Sequence, residues 1–303
     1  MRCLVTGANG FLGGATVAAI AARGGTTITT DIEGSVDHRG DLADIAFCNS
    51  LPAVDCVVHC AAVQYIRRDI PLITRSAWFH RNNVLATKNL CDRYADARTH
   101  FVYVGTSMMY QAMNGEDLLP TAALAGQGVY SDSKLAGLRR VQQLPRWSCM
   151  VPCIIGGRGR EGLFRGFVNS IRRAGIAIVP GPCRHATHMV HVEDAANLLA
   201  LIALGNHQGI FNAAAPTPLS ILQWIDEIAS ELGASRVTRL HIPLPLVSAI
   251  AVTSRYRLLA REQLQMLRHR HVLNTDASLA LGWKPLRSNA QIAREIARYI
   301  CDG

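Results

Sequence analysis

A short apolar run, Cys3-Leu4-Val5-Thr6, ends in a glycine-rich turn, Gly7-Ala8-Asn9-Gly10-Phe11-Leu12-Gly13, which opens onto the helical stretch Phe11 to Arg23 and then a second strand, Thr26 to Thr30. Strands joined through a helix run parallel with a right-handed crossover, so this opening constrains the whole fold. The alternation continues through strand Val54 to Cys60, helix Arg75 to Ala97, strand His100 to Gly105, helix Val129 to Leu144 and strand Ser148 to Ile155. Some 155 residues of this pattern predict an α/β doubly wound parallel sheet. Beyond Gly156 the pattern loosens into Gly-, Pro- and Arg-rich turns, where a smaller lobe begins. Helices are expected there at Leu163 to Ala174, Glu193 to Leu204, Leu219 to Leu232, Leu246 to Leu259 and Asn289 to Ile300.

Composition removes several alternatives. The chain has 303 residues, 49% apolar and 17% charged, which suits one large globular domain or two closely joined ones and argues against disorder. Apolar runs such as Leu198 to Leu204 are too short to span a bilayer, and the start of the chain lacks a signal-peptide pattern, so a cytoplasmic location is expected. Nine scattered cysteines without a CxxC pair read as reduced, buried thiols rather than as a disulfide or zinc framework, and no metal is expected. The net charge of +9 is spread as singles and doublets, which fits an anionic small molecule better than nucleic acid.

The glycine turn lets the backbone approach a pyrophosphate, which would rest on the N–H groups at the helix start. Asp31 follows Gly13 by 18 residues at the end of the second strand. A carboxylate there accepts hydrogen bonds from a ribose diol and repels a 2′-phosphate, so NAD is favoured over NADP, with Glu33 close enough to share the role. Asp41 and Leu42 are placed to touch the adenine, although Asp41 could equally cap the next helix. Tyr130 and Lys134 stand four apart, on one face of a helix. Lysine occurs only at 88, 134 and 284, so chance pairing with a tyrosine at this spacing is improbable. A neighbouring ammonium favours the phenolate, which makes Tyr130 a proton acceptor and leaves Lys134 able to hold the nicotinamide ribose. Thr106 and Ser107 lie just beyond a strand, at the sheet edge where such folds bind ligands, and either hydroxyl could bond a substrate oxygen.

Taken together, Thr6 to Gly13, His59-Cys60-Ala61-Ala62, Asn83-Val84, Thr106 to Tyr110, Tyr130 to Lys134, Pro152 to Gly156, His191 to Ala196 and Leu281 to Pro285 resemble the extended short-chain dehydrogenase/reductases, also called the NAD-dependent epimerase/dehydratase family. The resemblance implies a Rossmann-type domain over 1–160 and 187–213 and a smaller C-terminal substrate lobe over 161–186 and 214–303. It implies NAD held by Gly7, Asn9, Gly10, Phe11, Leu12, Gly13, Asp31, Asp41, Leu42, Cys60, Ala61, Ala62, Asn83, Tyr130, Lys134, Pro152 and Ile155. Tyr130, Lys134, Thr106 and Ser107 form the implied catalytic set, with Thr106 in register with the family's Ser/Thr. His59 packs beneath the cofactor or touches a proton path. A small-molecule substrate and a homodimer are expected, with no nucleic-acid or membrane partner.

Departures from the pattern narrow the chemistry. Ser107 and Met108 stand where sugar-nucleotide dehydratases carry an Asp-Glu pair, which argues against elimination of water. Thr187 stands where UDP-sugar epimerases usually carry a diphosphate-binding arginine, leaving Arg184 or Arg165 as substitutes. The segment Ile242-Pro243-Leu244-Pro245-Leu246-Val247 looks similar to the 3β-hydroxysteroid dehydrogenase-like branch and leans toward a lipophilic alcohol. The expected activity is hydride transfer between a secondary alcohol and NAD. An NDP-sugar 4-epimerase with tightly bound NAD is the alternative, and a non-catalytic NAD-sensing module a further one.

Overall fold

The computed structural model describes residues 1–302 apart from 66–69, 72, 112–115, 161, 163 and 255–258. Its centre is a sheet of seven parallel strands: β1 (Arg2–Thr6), β2 (Thr26–Asp31), β3 (His38–Arg39), β4 (Cys56–His59), β5 (His100–Val104), β6 (Trp147–Pro152) and β7 (Gly209–Ala213). The spatial order is 7-6-5-4-1-2-3, so the chain reverses direction across the sheet at the β1/β4 boundary. Ligands of open α/β sheets settle in the crevice outside the strand ends at such a reversal. Strands β4 and β5 are buried throughout, as expected of strands covered on both faces.

Five helices bear on the site: α1 (Phe11–Ala22), α2 (Ala86–Arg93), α3 (Val129–Val141), α4 (Val192–Gly205) and α5 (Arg261–Arg268). Helix α1 packs on α4, and α2 on α3. The α1/α4 contact is built from small residues, with Ala195, Ala196, Ala200 and Ala203 wholly buried. His191 caps α4, and Asp194 in its first turn accepts the Leu286 and Arg287 amides at 3.1 and 3.2 Å. The Trp283 indole N–H donates to the Asp194 carbonyl at 2.8 Å. The His191 to Ala196 and Leu281 to Pro285 segments therefore fasten the end of the chain to α4.

A second apolar core gathers Phe164, Phe167, Val168 and Ile171 with Trp224, Ile225 and Ile228 and with Ile292 and Ile296. These come from the helices Phe164–Ala174, Ile221–Glu231 and Asn289–Asp302. A two-stranded parallel pair, Ile176–Pro180 with Thr238–Ile242, flanks it. Among the described residues no helix is long and apolar enough to cross a membrane.

Several elements differ from expectation. The helix expected over Arg75 to Ala97 is Arg75–Phe79, a wider π-turn at His80–Leu85, and α2. The π-turn carries Asn83, which is buried, and Thr87 donates to the Asn83 carbonyl at 2.6 Å. Such insertions recur at functional sites. The strand over Ser148 to Ile155 divides into β6 and Ile154–Gly156, which pairs with Met189–His191. The helix expected from Leu219 starts at Ile221, because Ser220 caps it, its hydroxyl accepting the Gln223 amide at 3.3 Å. The helix expected over Leu246 to Leu259 runs Leu244–Thr253, with Pro245 admitted in its first turn; residues 255–258 lie outside the described ones.

Candidate functional site

The glycine turn sits at the end of β1. Gly7 adopts φ +66°, a left-handed conformation, and a Cβ there would lie 2.8 Å from the backbone of Ala61. That close approach is why His59-Cys60-Ala61-Ala62 and the turn belong to one structure: the Ala61 amide donates to Thr6 Oγ1 at 3.1 Å, and the Thr16 hydroxyl lies 3.9 Å from Cys60 Sγ. Ala62 continues the same partly buried segment. A Cβ on Gly13 would fall 1.9 Å from the Gly7 carbonyl oxygen, and one on Gly10 would fall 3.0 Å from it. The turn is thus a bare-backbone cradle of the kind a pyrophosphate needs. Phe11 and Leu12 begin α1, with Leu12 buried. Gly13→Ala is expected to lower both thermal stability and dinucleotide affinity, the latter by at least about tenfold, as measured by calorimetric titration.

Asp31 ends β2 beside the glycine turn. Its carboxylate accepts the Asn9 amide at 2.9 Å and the Ile32 amide at 2.7 Å, while the Asn9 side chain donates to the Glu33 carbonyl at 2.5 Å. Glu33 therefore contributes backbone to the turn. Asp41 is engaged on both oxygens, with the Ala43 amide at 2.8 Å and Arg81 at 2.6 Å; Asp44 caps the following helix. Leu42 is buried, and its carbonyl accepts the Asn89 amide at 3.0 Å.

Tyr130 lies in the first turn of α3, buried at 6% exposure. The Thr106 and Gln64 side chains and the half-buried Arg160 guanidinium are the groups that favour the ionised form of its phenol. Burial pushes the phenol up to about 12, while Arg160, Thr106 and Gln64 pull against that rise. Lys134 shares the helix face but does not provide this charge. Its ammonium lies over the Tyr103 ring, 4.3 Å from the centroid, near Cys60 and Cys149, and burial lowers it to about 8. The spacing located the pair correctly on α3; the cation on the phenol comes from elsewhere in the chain. Arg160 donates to Gln64 Oε1 at 2.5 Å and lies over Phe11 of the glycine turn, 5.6 Å from the ring centroid.

The Ser107 hydroxyl pairs with His271 Nε2 at 2.8 Å, and burial holds this histidine down at about 4 and neutral. Thr106 instead caps the short turn Ser107–Met109 and faces the phenol. Asn83 accepts the Val63 amide at 2.8 Å and donates to Ser133 at 2.9 Å; Ser133 donates to the Tyr130 carbonyl at 2.7 Å. Asn83 thereby braces α3 against the loop after β4. His59 is a buried strut between Thr6 (2.8 Å) and Thr87 (3.0 Å), and desolvation drives it down to about 3. Pro152 ends β6, and Ile155 is buried in the strand that follows.

A pocket beside Ser107 is lined by Met108, Tyr110, Gln127, Met266 and His271, with Glu262 in its wall. Arg165 and Arg184, both exposed, are not among its lining residues, and Thr187 lies in a bridge with His271. Sequence reasoning did not identify Gln64, Tyr65, Arg160, Glu262 or His271. All nine cysteines are free, and among the described residues no cluster of three or more His, Cys, Asp or Glu could hold a metal.

Solved structures share this fold over nearly the full length of both chains. A human epimerase family protein, SDR39U1, solved with NADPH, is 21% identical with a TM-score of 0.79, covering 98% of this chain and 99% of its own. DesIV, a dTDP-glucose 4,6-dehydratase of Streptomyces venezuelae solved with NAD and TYD, is 21% identical at TM-score 0.75, covering 100% and 98%. The UDP-glucuronic acid 4-epimerase of Bacillus cereus, solved with NAD, is 15% identical at TM-score 0.76, covering 100% and 99%. No curated protein sequence matches the chain. The family model for NAD dependent epimerase/dehydratase matches residues 3–214, which span β1 to just past β7 and hold the glycine cradle, Asp31, Thr106, Tyr130 and Lys134, and the chain belongs to that family.

Proposed function

We propose that the chain is an NAD-dependent oxidoreductase that converts a secondary alcohol to the ketone, or the reverse, with Tyr130 as the proton-exchanging group. The observation that carries this reading is the buried phenol meeting a hydroxyl (Thr106) and a cation (Arg160) at the carboxyl edge of the sheet. Bound at the glycine cradle and Asp31, NAD would supply the hydride acceptor and a positive charge near the phenol. Thr106 orients the substrate oxygen, and Tyr130 takes the carbinol proton in oxidation or returns it in reduction. Lys134 stands on the same helix face, where its ammonium can serve the nicotinamide ribose. Holding these groups in one geometry around a buried phenol is the protein's share of the catalysis.

The cavity walled by Met108, Tyr110 and Met266 together with Gln127, Glu262, Gln265, His269 and His271 measures only about 10 Å³, so it does not define a substrate. The lean toward a 3β-hydroxysteroid dehydrogenase-like substrate stays with the Ile242 to Val247 segment. The helix Leu244–Thr253 buries Val247 and Ala251 in the second core and leaves Leu246, Ile250 and Val252 exposed. The test is a panel of sterols and other secondary alcohols against UDP- and dTDP-sugars, followed by NADH formation and product analysis. Net NADH with an alcohol supports the proposal; an inverted sugar with no net NADH replaces it with a 4-epimerase, and NAD binding with no turnover on either panel replaces it with a sensing module.

Cofactor choice is a separate expectation. Asp31→Ala removes the carboxylate that would repel a 2′-phosphate, and the NAD-over-NADP affinity ratio is expected to fall about 10- to 100-fold by titration. An unchanged ratio would remove Asp31 from that role.

A further inference from the structure

Glu262 lies 2% exposed in α5, 131 residues after Ser131 of the helix it touches. Its carboxylate accepts the Tyr65 hydroxyl at 2.8 and 2.9 Å and the Ser131 amide at 3.1 Å. The Tyr65 hydroxyl in turn accepts the Tyr130 amide at 3.0 Å. Two first-turn amides of α3, which have no partner within the helix, are thus satisfied by one carboxylate and the phenol it holds. The Tyr65 ring packs on Tyr130 with centroids 5.6 Å apart, and both meet Phe79, at 5.4 and 6.0 Å. A Cβ on Gly128 would strike the carboxylate at 2.4 Å, so glycine at the helix entry gives it room.

We propose that Glu262 is a positioning residue for Tyr130: through Tyr65 and the Ser131 amide, α5 clasps the first turn of α3 and sets the phenol against Thr106. This deepens the oxidoreductase reading and rests on Tyr130 being its proton acceptor. The groups facing the phenol are Arg160 from the loop after Ile154–Gly156, Gln64 and Tyr65 after β4, Tyr103 of β5, Thr106 after β5 and Glu262 of α5; Lys134, on its own helix, lies over Tyr103 instead. Arg160 favours ionisation, and Glu262 opposes it. The same charge adds to burial in holding the Asp132 carboxyl above its usual range, which places its field over the whole first turn.

The test uses the full chain with NAD and the best alcohol from the panel. Glu262→Gln keeps the shape and removes the charge, so the pH at which kcat/KM for oxidation rises is expected to move down. Tyr65→Phe and Gly128→Ala loosen the clasp by different routes, and each is expected to lower kcat about 10- to 100-fold with little change in KM or NAD affinity. A purely structural carboxylate would lower the melting temperature without moving the pH profile. An unmoved profile in Glu262→Gln, or parental kcat in both Tyr65→Phe and Gly128→Ala, overturns the proposal. Parental activity in Tyr130→Phe would instead defeat the oxidoreductase reading beneath it.

Discussion

Tyr130→Phe is expected to reduce turnover about 10²- to 10⁴-fold while NAD still binds with near-parental affinity. The substitution removes one oxygen and keeps the ring, so the packing on Tyr65 and Phe79 survives and the fold should be unaffected. What disappears is the proton acceptor for the carbinol, the group on which Thr106 and Arg160 act. Without that acceptor, a carbinol losing hydride would leave a charged, protonated carbonyl in a site with few ways to shed the proton. Single-turnover nicotinamide absorbance with calorimetric NAD titration separates the two effects. Parental single-turnover rates would move the proton transfer away from Tyr130, and loss of NAD binding alone would make the tyrosine a cofactor residue only. The neighbouring hydroxyl, Ser107, pairs with His271.

The elements visible in the sequence are those whose physics is local. The glycine turn is legible because close backbone approach admits no side chain, and Gly7 and Gly13 meet backbone atoms where a Cβ would stand. Tyr130 and Lys134 are legible because helical spacing puts them on one face. The charge balance around the phenol is not local. Arg160, Glu262, Tyr65 and Gln64 come from three separate stretches of chain, have no common spacing, and meet only after α5 and the loops after β4 and Ile154–Gly156 fold against α3. The resting place of Lys134 also depended on tertiary structure, since burial among Cys60, Cys149 and Tyr103 decides it. The π-turn at His80–Leu85 escaped because its residue types equally suit an α-helix; only the buried partners of Asn83 single it out. The strands Ile176–Pro180 and Thr238–Ile242 escaped because they pair with each other outside the main sheet, with Ile178 and Leu240 exposed and little apolar alternation.

Arg160→Met is expected to shift the rise of kcat/KM for alcohol oxidation to higher pH and to lower the rate near neutrality about 10- to 100-fold. The sign follows from the phenol, which burial raises to about 12 and the Arg160 charge holds below the value burial alone would give. Removing the charge raises it further, so at any pH below that value a smaller fraction is ionised. The size follows from Coulomb's law: a unit charge several ångströms away at an effective dielectric near 20 contributes roughly 2–3 kcal/mol, or about two powers of ten in ionisation. Methionine keeps the apolar contact with Phe11, so NAD affinity should fall less than the rate. Ketone reduction, in which Tyr130 donates, should lose much less, because a less acidic phenol stays fully loaded with its proton. Glu262→Gln should displace the same limb the opposite way, since its carboxylate opposes the ionisation that Arg160 favours. A profile that stays put in Arg160→Met while KM alone rises would make Arg160 a substrate-binding group and transfer control of the phenol to Lys134.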